Sequence, residues 1–109
     1  ILRGVRMKEN YIKNAKDILR ETFEENNLVV DEGLLDLYTL LLLTKGLKTT
    51  EKDVHEAWAI YTNQINPRHK SLIPFEGLTK EVQDLDAPYT EAIKDTFIKL
   101  IPDDILEEK

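Results

Sequence analysis

The stretch from Asp31 to Gly46 constrains this chain more than any other. Its interior reads Leu34, Leu35, Leu37, Tyr38, Leu40, Leu41, Leu42 and Leu43. Asp is a good N-cap because its carboxylate accepts from the free N–H groups of a first helical turn, and Gly is a good C′ residue because it adopts left-handed backbone without strain. The segment between them is therefore expected to be one helix. Its leucines circle that helix instead of forming a stripe, and a helix that is apolar all round must be covered on all sides. A chain of 109 residues buries roughly two thirds of its unfolded surface, enough for one modest core. The cover then comes from the centre of the domain or from a subunit interface. A homo-oligomer is expected, most simply a symmetric dimer.

The other segments read as helices arranged around this one. Tyr11, Ile12, Ala15, Ile18, Leu19, Thr22 and Phe23 share one face of a first helix spanning about Lys8 to Asn26, with Asn26 and Asn27 as its stop. Thr50 and Asp53 form a capping box ahead of Val54, Ala57, Trp58, Tyr61 and Ile65, while Lys52, Glu56 and Asn63 take the opposite face. Asn66-Pro67 opens an irregular segment that reaches Leu78. Thr79 caps a short helix through about Leu85. Asp86 caps a last one, with Pro88 in its first turn and Tyr89, Ala92, Ile93, Thr96, Phe97, Leu100 and Ile101 on one face, ended by Pro102. Four Gly and four Pro are too few for a many-turned β-sandwich. The expected fold is all-α, a compact bundle of four main helices plus one short helix. It occupies residues 7–102 as a single domain, with 1–6 an N-terminal extension or vector remnant and 103–109 an acidic tail.

Composition removes several functions. A net charge of −6 disfavours DNA and RNA, whose phosphates need clustered Lys and Arg. Without cysteine there is no disulfide, thiolate chemistry or Cys-based zinc site. Apolar runs such as Leu40 to Leu43 are far short of the roughly 20 residues of a membrane span. No leader is read at the N-terminus, and a cytoplasmic location is expected. The catalytic inventory is thin. His55-Glu56 opens like a metalloprotease helix, but Ala59 stands where the second histidine belongs. Ser71, the sole serine, lacks a nucleophile-elbow context, and there is no Gly-rich phosphate loop. Asp53, Glu56, Glu81 and Asp84 read as solvated helix faces. Neither enzymatic activity, a cofactor nor a metal site is expected.

Two constellations carry chemistry. Arg68, His69 and Lys70 form the densest basic run of an acidic chain, in a loop where cations can grip a phosphate or carboxylate. The bland alternative is a solvated loop. His55, Trp58 and Tyr61 lie on one helix at a spacing that can stack on and hydrogen-bond a planar ring. Here the alternative is that Trp58 and Tyr61 are core and His55 a packed or capping histidine. Phe75, beyond the basic loop, and Tyr89, on the last helix, complete the candidate ligand-binding set.

The residues from His55 to Ile93 also occur in a familiar order. His55-Glu56-Ala57-Trp58-Ala59 is followed by His69-Lys70-Ser71-Leu72-Ile73-Pro74-Phe75, then by Leu78, Asp86 and Ala92-Ile93. This half of the chain resembles the ryanodine-receptor repeat (RyR) domain and is similar to small uncharacterised proteins of bacteria and their phages with the same core. The Lys and the Gly-Trp-x-x-Gly stretch usual between the two signatures are absent from Tyr61 to Pro67. The resemblance implies a small helical recognition module, and its prokaryotic relatives have been proposed to sense nucleotide-derived ligands in bacteria–phage conflict. The expected function is a non-enzymatic binding module for a small anionic, nucleotide-derived molecule, such as a phage-encoded anti-defence protein that sequesters an immune signalling nucleotide. The alternative is a structural or interaction protein that acts through homo-oligomerisation or docks a host protein.

Overall fold

Asn10 sets the start of the first helix. Its side chain accepts from the Lys13 N–H at 2.8 Å, so α1 runs Tyr11–Glu25. The computed structural model describes residues 10–101. The expected helix start at Lys8, the extension 1–6, the domain edges at 7 and 102 and the tail 103–109 lie outside them. After α1, Asn27 takes a φ of +60°, the left-handed turn that an Asn stop favours. The later helices are α2, Glu32–Thr44; α3, Glu51–Ile65; α4, Lys80–Gln83; and α5, Ala87–Leu100. Short 3₁₀ turns cover Gly46–Lys48, Phe75–Gly77 and Asp84–Asp86. The described residues contain no strand, and the fold is an all-α bundle of four main helices and one short one.

Helix α2 is the hub. It packs against α1, α3 and α5, and α1 packs against α5. Leu34, Leu35, Tyr38, Thr39 and Leu42 are buried. They meet Ala15, Leu19 and Phe23 of α1, Val54 and Ala57 of α3, and Ala92 and Ile93 of α5 in one core. The cover is incomplete, because Leu40 and Leu43 remain exposed. Three neighbouring helices can surround only part of a cylinder that is apolar on every side.

Individual faces shift in the same way. Tyr11, Ile12 and Ile65, expected on buried faces, are exposed; the first two open α1 and Ile65 closes α3, where a helix has fewer residues around it. The Thr50–Asp53 capping box forms in both directions, with Thr50 Oγ1 accepting from Asp53 N–H and the Asp53 carboxylate accepting from Thr50 N–H. Thr79 caps α4 by accepting from Val82 N–H. The other two expected caps are not made through side chains. Asp86 is in helical backbone, at φ −82° and ψ −16°, at the end of a 3₁₀ turn, and its carboxylate caps nothing. Asp31 occupies the N-cap position of α2, but its carboxylate accepts instead from the Tyr61 hydroxyl at 2.6 Å.

Candidate functional site

The bond from Tyr61 to Asp31 ties α3 to the start of α2 along one edge of a cleft. Gly33 makes this closeness possible, because a Cβ there would come within 3.0 Å of the Tyr61 ring. The Trp58 wall is built by two histidines. His55, buried on α3, stacks on Trp58 with ring centres 5.6 Å apart and planes inclined at 28°. Its Nε2–H donates to the Ile73 carbonyl at 2.8 Å, since a carbonyl can only accept. His69 sets its ring edge-on against Trp58 at 5.0 Å, and its Nδ1 accepts from the Ser71 N–H at 3.0 Å. The irregular segment is thereby fastened to α3 at two points, His69 against Trp58 and the Ile73 carbonyl against His55. Phe75 lies against the His55 ring, with centres 6.1 Å apart.

Across the cleft, Tyr38 of α2 and Tyr89 of α5 form a second aromatic wall, backed by Phe23 of α1. The cleft between them is open to solvent and has a volume of about 650 Å³, well within the range of small-molecule sites. Of the residues proposed from the sequence, His55, Trp58, Tyr61, His69 and Tyr89 line this one cleft. Arg68, Lys70 and Phe75 do not. Arg68 and Lys70 are exposed on either side of His69, and Phe75 lines a separate shallow depression with Lys52, Thr90 and Lys94.

The charge inside the cleft differs from the expected one. The lining includes no Lys or Arg and holds the carboxylates of Asp31 and Asp86. No group of three or more His, Asp or Glu suited to a metal occurs among the described residues. Tyr38 and Asp86 were not singled out from the sequence as site residues. Tyr38 read as one more apolar residue of α2, although a polar tip in so leucine-rich a helix needs an outlet. Asp86 read as a cap.

Asp86 is partly buried, and that desolvation pushes its carboxyl up to about 6; His55 opposes the shift and Glu51 adds to it. The folded state therefore holds the proton more tightly than the unfolded chain. Its stabilising contribution is complete below the ordinary value of 3.8 and is lost as the pH rises to about 6. Fully buried, such a displacement is worth roughly 3 kcal/mol, and solvent screening of a partly exposed group leaves about 1 kcal/mol. Asp86→Asn is expected to leave stability unchanged near pH 4 and to raise it by about 1 kcal/mol at pH 8. Urea melts at both pH values check this, and an equal gain at both would refute the assignment.

No curated protein and no solved structure matches the chain. Residues 10–97 match the family model described as Domain of unknown function (DUF7701). That span takes in α1 to α4 and α5 as far as Phe97, and with it every residue that lines the cleft, so the chain belongs to this family of domains of unknown function.

Proposed function

We propose that the domain binds a nucleotide-derived ligand without turning it over, with the base inside the aromatic cleft and the phosphate outside it. What supports this reading is the pairing of an aromatic-walled interior lined by no Lys or Arg with two exposed basic residues, Arg68 and Lys70, on either side of the lining residue His69. A planar base can stack between the Trp58 and Tyr89 walls. A phosphate has no partner beside Asp31 and Asp86, and it does at the His69 loop. Among the described residues, Arg68 and Lys70 have no carboxylate within ion-pair distance, whereas most other basic side chains do. Two unpaired cations flanking a residue of the cleft wall are available to an anion at its mouth. Capture without turnover suits a sequestering protein of the kind implied by the RyR-repeat resemblance, which itself stands as part of the proposal.

The sole tryptophan lines the cleft, so its emission reports occupancy directly. Titration with AMP, GMP, CMP, UMP and inorganic phosphate is expected to give saturable quenching by at least one nucleotide. No response up to about 1 mM, the weakest affinity worth assigning, would refute the reading. Arg68→Ala and Lys70→Ala are each expected to weaken the responding nucleotide about 10-fold, the low end for an exposed charge-assisted contact. Both should leave the thermal midpoint unchanged, since neither side chain packs. Calorimetric titration of both variants checks this, and unchanged affinity in both would remove the loop from the site.

One observation favours a second reading, that of an assembly module. Leu40 and Leu43 of α2 are 56% and 40% exposed, and Leu47 just beyond is 49% exposed. In that reading a second copy covers the part of α2 that the bundle leaves open. Sedimentation that shows only monomer at high micromolar concentration would discard it.

A further inference from the structure

Two polar side chains that line the cleft, Tyr38 and Asp86, have no hydrogen-bond partner among the described residues. Tyr38 is only 2% exposed, lines the cleft, and has no hydrogen bond to its hydroxyl among the described residues. Burial, with Asp86 and Tyr89 nearby, holds that hydroxyl well above its ordinary pKa, so it stays a neutral O–H. The Asp86 carboxylate also lines the cleft. It makes no ion pair and no side-chain cap among the described residues. Buried polar groups in folded proteins are almost always satisfied, and an unsatisfied one is costly. The same pair faces an interior with aromatic walls and no cation.

The chemistry of these groups narrows what can satisfy them. An ionised carboxylate only accepts, through two oxygens side by side, and a neutral phenol can donate. A planar ring that suits both presents two adjacent N–H donors next to a carbonyl. Among the common bases, guanine has that edge, with N1–H and the exocyclic amino group beside O6. Adenine places a ring acceptor next to its amino group, and uracil flanks its single N–H with two carbonyls. Hypoxanthine keeps N1–H and O6 but lacks the amino group.

We propose that the cleft is specific for guanine, with the Asp86 carboxylate accepting from N1–H and the exocyclic amino group and the Tyr38 hydroxyl donating to O6. This rests on the reading of the cleft as a nucleotide site and adds the identity of the base. Asp86 then explains why an acidic protein keeps a carboxylate inside a site for an anionic ligand, since it recognises the uncharged end. A site built to hydrogen-bond a donor pair rejects analogues that lack one, because its own groups are left unpaired.

The test is Trp58 quenching, supported by calorimetry, with GMP, IMP, AMP and UMP at pH 8, where Asp86 is ionised. GMP is expected to bind about 10- to 100-fold more tightly than IMP, the loss typical of one charge-assisted hydrogen bond. AMP and UMP should bind no better than IMP. Asp86→Asn should weaken GMP by a similar factor and bring the GMP-to-IMP ratio close to one, and Tyr38→Phe should weaken GMP and IMP together while it keeps the ring. Circular dichroism establishes that both variants are folded. Equal affinity for all four nucleotides overturns the guanine assignment and leaves the nucleotide reading standing. A GMP preference that survives Asp86→Asn overturns the role of Asp86. No binding of any of the four overturns both.

Discussion

Phe23→Ala is expected to lower the stability of the domain by about 3–5 kcal/mol, the usual cost of truncating a large buried aromatic. Phe23 is 2% exposed and sits where α1, α2 and α5 converge. Its ring meets Tyr38 edge-on at 5.7 Å and Tyr89 at 5.8 Å, and those two lie 5.9 Å from each other. The three rings form a triangle with one corner on each helix. Edge-on aromatic pairs add about 0.5–1.5 kcal/mol beyond area burial, and a methyl group in place of the ring leaves a cavity the helices cannot easily close. Tyr38 and Tyr89 are also the far wall of the cleft, so the substitution should loosen the site as well as the core. Urea denaturation measures the first effect, and Phe23→Leu, which fills most of the space, should cost clearly less. A loss below about 1.5 kcal/mol in Phe23→Ala would mean that the neighbouring rings collapse into the gap.

The second large effect is expected at Gly46, with Gly46→Ala costing about 2–5 kcal/mol. Two independent causes combine. Gly46 has a φ of +52°, where an L side chain costs about 1–2 kcal/mol. A Cβ there would also come within 2.7 Å of the Phe97 ring on α5, and overpacking of that kind typically costs about 1–3 kcal/mol. The position has little room to relax. It is buried, and its carbonyl accepts from both the hydroxyl and the N–H of Thr49. The causes separate in a double-mutant cycle with Phe97→Leu, which should recover the steric part and leave the conformational part. Strictly additive costs in that cycle would show that Phe97 does not oppose the new methyl group.

The sequence by itself determined the number and order of the helices and several of their ends. Local rules suffice there, because a capping box, an Asn or Gly in left-handed backbone and a 3.6-residue period act between residues a few positions apart. Thr50 with Asp53, Asn27, Gly46 and the face of Ala15, Leu19 and Phe23 all follow from such rules. The same rules suggested His55, Trp58, Tyr61, His69 and Tyr89 as chemistry-bearing residues, since aromatic and imidazole groups stand out among aliphatic ones. Only the tertiary structure decided where the carboxylates go. Asp31 and Asp86 have the sequence context of helix caps, yet one is drawn off by the Tyr61 hydroxyl thirty positions away and the other is turned into the cleft by the 3₁₀ turn before α5. Tertiary packing also placed Tyr38 in the lining of the cleft and left Arg68 and Lys70 outside it. A local pattern specifies which face of a helix is apolar, whereas the polar groups that converge across the gap between helices depend on how those helices cross.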